Sequence, residues 1–378
     1  MLARTLHSDY HSGMHTGRYG ALYRHALTRL DAETTHQLAL RGLVAAQRVP
    51  GGLRTLARFA PEPDERLRLR LWELPFANPL GVAAGLDKNG EAVEALLALG
   101  FGHVEVGTVT LLPQPGNPRP RVWRVPEAAA VINALGFPSA GAADVRARLL
   151  PVRPRGVVGL NIGKNRDTPL AEAAAEYAAL VGALFAVAHY ITINISSPNT
   201  PGLRALQLAD ELATLLDAVS AANNRAAELA RRDPKPLLVK VAPDLTDAEL
   251  EGIADAAIAG GARGLIATNT TTSRDGLPER YRSLPGGLSG APLRQRATHA
   301  TRVLYRRAAG RLPIIGVGGI ASGADALKRI RAGASLVQLY TAFTLVGPAL
   351  PGQILRELSA DAELRGWTSI EEIVGEDA

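Results

Sequence analysis

The chain has 378 residues, 47% of them hydrophobic and 21% charged, enough for one large α/β barrel with an appendage or for two ordinary domains. It contains no cysteine, which excludes disulfides, thiolate metal sites and a cysteine nucleophile or acid, and its 4% aromatic content argues against a base-stacking nucleic-acid surface. The net charge of +6 is gathered at the front: residues 1–60 carry eight arginines against Asp9, Asp31 and Glu33, a balance of +5 over a nearly neutral remainder.

A basic front on a neutral body fits an anionic membrane surface better than DNA. Within it, Tyr19, Leu22, Tyr23, Ala26, Leu27 and Leu30 recur at helical spacing, with Arg18, Arg24, His25, Thr28 and Arg29 on the other side. Asp31 is placed to cap a second helix over roughly 32–47, carrying Leu40, Leu43 and Val44 and closed by Pro50, Gly51 and Gly52. A third short segment holds Leu53, Leu56 and Phe59 with Arg54 and Arg58. Pattern alone reads these as a helical lid, and the charge adds a membrane-facing role. No apolar h-region follows the first residues, so no secretory signal is expected. The uncharged stretches 177–203 and 332–355 are broken by Gly, Pro, Asn or Ser and are not read as membrane spans.

From residue 76 onward, β-rich runs alternate with helical segments. The strands expected are LGVAAG (80–85), HVEVGT (103–108), VVGLNIG (157–163), YITINIS (190–196), PLLVKVA (236–242), GLIATNT (264–270), PIIGVGG (313–319) and LVQLYT (336–341). Between them lie helices at 91–100, 209–232, 247–261 and 323–334. Eight such units predict an α/β fold, a (β/α)8 TIM barrel over 61–378 with a small helical membrane-associating extension over 1–60. No GxGxxG opens the first unit, against a doubly wound sheet. Residues 109–145 and 271–292 are too long for plain connections and are expected to be lids or caps.

Polar side chains recur at the same end of strand after strand: Asp87, Lys88 and Asn89; Thr108; Asn161; Asn194, Ser196 and Ser197; Lys240; Thr268, Asn269 and Thr270. Any one alone reads as a satisfied structural group or a helix cap. Together they describe a site rich in amides and poor in carboxylates and histidines, suited to a flat polar ligand. GVGGI (316–320), with Gly333 before LVQLYT, stands where barrels bind phosphate through backbone N–H groups. That is compatible with FMN or a sugar phosphate. Lys88 and Lys240 are the two cationic candidates, for a Schiff base or for stabilising negative charge. The eight histidines, five of them at His7, His11, His15, His25 and His36, form no metal or triad pattern, and no metal is expected.

These residues together resemble the dihydroorotate dehydrogenases, and among them the membrane-associated, quinone-dependent class. The resemblance rests on GVAAGLDKNG (81–90), EVGTVT and PQPGNPRPR (within 105–121), NALGF (133–137), GLNIGKN (159–165), NISSPNTPGLR (194–204), KVAPDL (240–245), ATNTT (267–271), GGLSGAPL (286–293) and IIGVGGI with GASLVQLYT (within 314–341), while LTRLDAETTHQLA (27–39) resembles the extension of the quinone class. It implies FMN held by Ala84, Gly85, Leu86, Asp87, Lys88, Thr108, Asn161, Asn194, Lys240, Thr268, Gly290, Gly319, Tyr340 and Thr341. It implies dihydroorotate held by Lys88, Asn133, Ala134, Leu135, Gly136, Phe137, Asn194, Asn199, Asn269 and Thr270. Ser197 matches the catalytic base, where the soluble class has a cysteine. Thr200 and a water near Phe137 would relay its proton, and Lys240 would stabilise charge on the reduced flavin. The absence of cysteine also separates the chain from dihydrouridine synthases, which resemble this barrel. One departure is the block Asn133-Ala134-Leu135-Gly136-Phe137-Pro138, where the family shows an arginine and a later asparagine.

The resemblance further implies electron transfer to a membrane quinone and peripheral attachment at the cytoplasmic face, in bacteria the inner membrane. The alternative read from the residues is a non-redox phosphate-binding barrel, an aldolase or isomerase using Lys240. A membrane-bound module without turnover is the third reading.

Overall fold

In the computed structural model, which describes residues 29–378, all eight expected strands form the wall of one closed parallel barrel. Strands β1 (Leu69–Leu71) and β2 (Leu74–Phe76) form a small antiparallel hairpin ahead of it. The barrel runs β3 (Leu80–Val82), β4 (His103–Val109), β7 (Val157–Ile162), β8 (Tyr190–Asn194), β9 (Leu237–Val241), β10 (Gly264–Ala267), β12 (Ile314–Val317) and β13 (Leu336–Leu339), closing on β3. The remaining strands, β5 (Val122–Val125), β6 (Ala130–Asn133) and β11 (Gly287–Gly290), pair antiparallel. They belong to the two long connections expected to be lids, so those connections share one sheet across the mouth.

The helices are α1 (Ala32–Arg48), α2 (Gly52–Ala57), α3 (Val93–Ala98), α4 (Ala142–Leu149), α5 (Ala173–Leu184), α6 (Ala209–Ala230), α7 (Asp247–Ala259), α8 (Arg294–Ala308), α9 (Gly323–Arg331), α10 (Thr341–Val346) and α11 (Leu350–Arg365). The segment Leu170–Val187, around α5, is long and apolar enough to cross a bilayer. It is instead an outer barrel helix whose Tyr177, Leu180, Val181 and Leu184 are buried in the core.

Strand alternation explains what the barrel contains. Along β8, Ile191 and Ile193 join the apolar core, while the Thr192 hydroxyl donates to Glu105 and the Asn194 amide to Thr108 and Asn161. The hairpin covers the amino-terminal end of the barrel: Trp72 packs 5.8 Å from Tyr190, and Phe76 5.6 Å from His103. The opposite mouth is left for chemistry.

Helix α1 begins as expected, with the Asp31 carboxylate accepting the Thr34 N–H at 2.9 Å. Leu40, Leu43, Val44 and Leu56 pack on the core, and the Gln47 amide bridges to Glu91 and Ala95 at the start of α3. Leu38 (47% exposed), Val49 (59%) and Phe59 face outward. The amphipathic stripe from Tyr19 to Leu27, and Arg18, Arg24, His25 and Thr28 opposite it, lie outside the described residues.

Candidate active site

The two adjacent serines after β8 have different surroundings. Ser196 is fully buried, its hydroxyl donating to Asn194 Oδ1 at 3.1 Å and accepting from the Asn269 amide at 3.1 Å. Ser197 lines the cavity at the barrel mouth, and its Oγ accepts the Asn199 N–H at 3.2 Å. One serine pins the wall, and the other faces the ligand space. Both serines follow the end of β8 at Asn194, and Pro198 biases Ser197, the residue before it, toward extended backbone.

Four asparagines surround that space in two hydrogen-bonded pairs. The Asn199 amide donates to both the backbone and side-chain oxygens of Asn133, at 3.1 and 3.2 Å. Asn269 donates to Asn194 Oδ1 at 3.2 Å, and its own Oδ1 accepts the Thr270 N–H at 2.8 Å. Each amide is therefore oriented by protein partners before a ligand arrives, which lowers the cost of binding. Gly136 and Phe137 close this side with two successive left-handed residues, φ 67° and 54°. A Cβ on Gly136 would lie 2.6 Å from Asn117 Cγ, so the segment carrying Leu135 and Phe137 can pack here only with glycine.

Below the amides lies a buried ion pair. The Lys240 ammonium stands 3.7 Å from Glu105 Oε1, and both are shut off from solvent. Glu105 also accepts from Asn161 at 2.8 Å and from Tyr190, Thr192 and Gln338 at 3.2 Å each. Burial lowers the Lys240 pKa, and the Glu105 carboxylate acts against that loss. A cation is thus held in a dry place facing the cavity, which suits stabilising negative charge on a bound ring.

At the far side of the mouth, Gly290, Gly318 and Gly319 line the cavity with left-handed backbones, φ 98°, 113° and 74°. A Cβ on Gly319 would come within 2.6 Å of the Arg294 Cα. Behind this loop the Arg329 side chain is buried; its Nη2 donates to Gly318 O at 2.8 Å, and its Nη1 has no hydrogen-bond partner among the described residues. A glycine cradle backed by a buried cation fits the phosphate of FMN. The cavity measures about 510 Å3, within the range of cofactor sites.

The same cavity continues from Ser197 and Asn133 to α1 and α2, past His36, Leu40, Leu43, Ala46 and Leu56. His36 sits 5.9 Å from the Tyr340 ring. Burial and the nearby Lys88 charge push its pKa down to about 3, so it stays neutral at physiological pH. Arg124 donates from the lid sheet to Leu30 O and the Thr35 hydroxyl, both at 2.8 Å. Sequence reading passed over His36, Arg124, Glu33, Ser289 and Leu293 on this lining. His36 was hidden among histidines without a pattern; the others have only their place in the fold to mark them.

Most residues singled out from sequence come together here: Ala84, Gly85, Leu86, Lys88, Thr108, Asn133, Leu135, Gly136, Phe137, Asn194, Ser197, Asn199, Lys240, Thr268, Asn269, Thr270, Gly290, Gly319, Tyr340 and Thr341. Four of those implied by the resemblance stand off the lining. Asn161 lies behind it, accepting from Thr108 and Asn194 at 2.6 and 3.0 Å. Ala134 is buried between Asn133 and Leu135, and Thr200 is buried on the Ser197 loop. Asp87, which the resemblance places among the cofactor residues, is also off the lining: its buried carboxylate accepts the N–H groups of Glu91 at 2.9 Å and Ala92 at 2.8 Å, leading into α3. Its carboxylate holds the turn that carries Lys88 to the cavity.

A closed parallel barrel with its polar groups gathered at one mouth is the architecture of the α/β-barrel enzymes. The family model for dihydroorotate dehydrogenase matches residues 66–361. The chain is 48% identical over 362 residues to "Dihydroorotate dehydrogenase (quinone)" of Deinococcus deserti, covering 95% of this chain and 100% of that one. The protein of the same name from Acidithiobacillus ferrooxidans is 51% identical over 348 residues, 90% of this chain and 94% of that one. Among solved structures, ligand-free DHODH from Eimeria tenella superposes with a TM-score of 0.83 at 38% identity, covering 92% of this chain and 99% of that chain. The complex of DHODH from the same organism with ferulenol gives 0.82 at 37% identity, over 92% and 96%. The chain belongs to the dihydroorotate dehydrogenase family. Membership sets aside the aldolase or isomerase alternative.

Proposed function

We propose that this chain oxidises dihydroorotate to orotate and passes the electrons to a quinone, with FMN at the barrel mouth. The observation that carries the reading is the single cavity in which Ser197, four oriented asparagines and Lys240 meet beside a glycine cradle. The chemistry FMN supplies is acceptance of a hydride and its return as two electrons to quinone.

The protein's own part is to bind, orient and move a proton. Asn133, Asn194, Asn199 and Asn269 hold the ring's carbonyl and N–H groups, and Lys88 holds the carboxylate. Ser197 Oγ takes the proton from C5 while its own hydroxyl proton passes to Thr200 and water beside Phe137. As hydride leaves C6, the C5–C6 double bond of orotate forms. The C5 proton is acidified by the neighbouring ring carbonyl, which makes a serine an adequate base. Purified protein should be yellow and should bleach anaerobically on adding dihydroorotate. A protein that stays colourless after FMN is supplied overturns the reading.

Lys88 gives this reading a pH signature. Burial pushes its pKa down to about 8, against the pull of the Glu33 and Asp87 carboxylates. The ammonium is therefore charged below pH about 8 and neutral above it. KM for dihydroorotate should rise above that pH while kcat changes little. Lys88→Met should flatten the profile and raise KM about 10- to 100-fold, the worth of a charged hydrogen bond. Steady-state kinetics from pH 6 to 9.5 check this.

The quinone approaches by the apolar arm of the cavity under α1 and α2. Residues 1–60 form the membrane and quinone-access segment, and 61–378 the catalytic barrel. Arg41, Arg48, Arg54 and Arg58 are exposed alongside Leu38, Val49 and Phe59, a basic and apolar face suited to peripheral attachment to anionic lipid. Each arginine near such a surface contributes about 1 kcal/mol. Reversing all four to glutamate should weaken binding to anionic vesicles more than 100-fold in sedimentation. Unchanged partitioning would show that another surface makes the contact.

A further inference from the structure

Glu33, on the first turn of α1, is nearly buried although it belongs to a surface helix. Its carboxylate takes Arg121 in a two-point pair, Nε to Oε2 at 3.0 Å and Nη2 to Oε1 at 2.7 Å. Arg119 reaches the same carboxylate at 3.0 Å, but its side chain is 59% exposed. The two arginines differ in what else they hold. Arg121 spends its remaining nitrogen, Nη1, on the backbone carbonyls of Pro115 and Asn117, both at 2.7 Å.

The segment so fixed is stitched to the substrate side of the mouth. The Asn117 backbone N–H donates to Leu135 O at 3.0 Å. Its side-chain amide donates to Ala134 O at 2.9 Å and to Asn199 O at 3.3 Å. Asn199 in turn bonds Asn133 and gives its N–H to Ser197 Oγ. A continuous series of polar contacts therefore runs from the first turn of α1 to the two asparagines and the serine of the pocket. Charged, two-point and buried bonds are the strong members of such a series, and each fixes an angle as well as a distance.

We propose that Glu33 is a positioning residue for dihydroorotate, acting through Arg121 and Asn117, so that α1 is part of the substrate-binding machinery as well as the wall of the acceptor arm. The proposal rests on the reading that Asn133, Asn199 and Ser197 face dihydroorotate. It explains why the one acidic side chain in the first turn of this helix is turned inward. It also makes the seating of the N-terminal helices and the occupancy of the substrate pocket mutually dependent, since any coupling of affinities between two sites is reciprocal.

The test uses the full-length holoenzyme and orotate, whose binding is followed by the change in the flavin absorption spectrum. Glu33→Gln keeps the size of the side chain but turns one acceptor into a donor facing Arg121. The expected result is an orotate Kd raised at least fivefold and a KM for dihydroorotate raised by the same factor. kcat at saturating substrate should stay within twofold. Asn117→Ala should reproduce that shift without disturbing any ion pair, so the proposal stays testable if the Glu33 variant does not fold. Combining the two changes should add little to the larger single effect, as expected for members of one chain of contacts. Arg119→Ala, which loses only an exposed partner of Glu33, should leave orotate Kd within twofold of the parent. Unchanged orotate affinity in Asn117→Ala overturns the proposal, as does a loss of kcat without a change in KM. A parent enzyme that is yellow yet blind to orotate would sink the assignment of the pocket, and this inference with it.

Discussion

Ser197→Ala should slow the anaerobic bleaching of the flavin by dihydroorotate by about 10²- to 10⁴-fold, the usual worth of a positioned general base. At about 1.4 kcal/mol per decade, that is roughly 3–5 kcal/mol of barrier. The loss should fall on the chemical step, because among the described residues the Ser197 hydroxyl takes one hydrogen bond, from the Asn199 N–H, and the asparagines proposed to hold the ring are oriented by one another. Orotate affinity should therefore stay within about threefold of the parent. Ser196→Ala is the internal control. It removes two buried hydrogen bonds, so it should cost stability, about 1–2 kcal/mol, and less than tenfold in rate. Stopped-flow absorbance and orotate titration separate these outcomes. Equal rate losses at the two serines would show that neither is the base.

Lys240→Met should do damage of two kinds. It removes the positive charge facing the cavity, so flavin reduction should fall by at least 10²-fold. It also leaves Glu105 buried without its cation, and breaking a buried pair from one side typically costs 3–5 kcal/mol. The low end, about 3 kcal/mol, is expected here, because Asn161, Tyr190, Thr192 and Gln338 still donate to the carboxylate. That should lower Tm by roughly 4 °C in a chain of this length. Adding Glu105→Gln to Lys240→Met removes the stranded charge and should recover most of the stability, leaving electron transfer impaired. Calorimetry on the three variants checks the sign. A double variant no more stable than Lys240→Met alone would mean that the pair is not the source of the loss.

The barrel could be read from the chain because its strands are continuous apolar runs bounded by glycine and polar residues, a pattern that does not depend on a distant partner. The sheet over the mouth has no such signature. β11 is Gly-Leu-Ser-Gly, and it becomes a strand by pairing with β6, more than 150 residues earlier. Likewise, the amides at the strand ends stood out because a core strand has no use for them. Glu105 did not, since one carboxylate in the middle of HVEVGT looks like any other until the barrel closes and five donors converge on it. Glu33 and His36 read as features of a surface helix. Only the packing of α1 against the mouth turns them inward.

The sheet made from the two long connections has a mechanical consequence. Two of its strands follow β4 and the third follows β10, so the mouth is spanned by a ladder anchored on two distant staves of the barrel. Pulling that span open would break the β6–β11 pairing as a unit, whereas the Ser197 loop is tied down by scattered single bonds. Traffic of small molecules at this rim therefore has a stiff side and a compliant side, and the Ser197 hydroxyl rides on the compliant one.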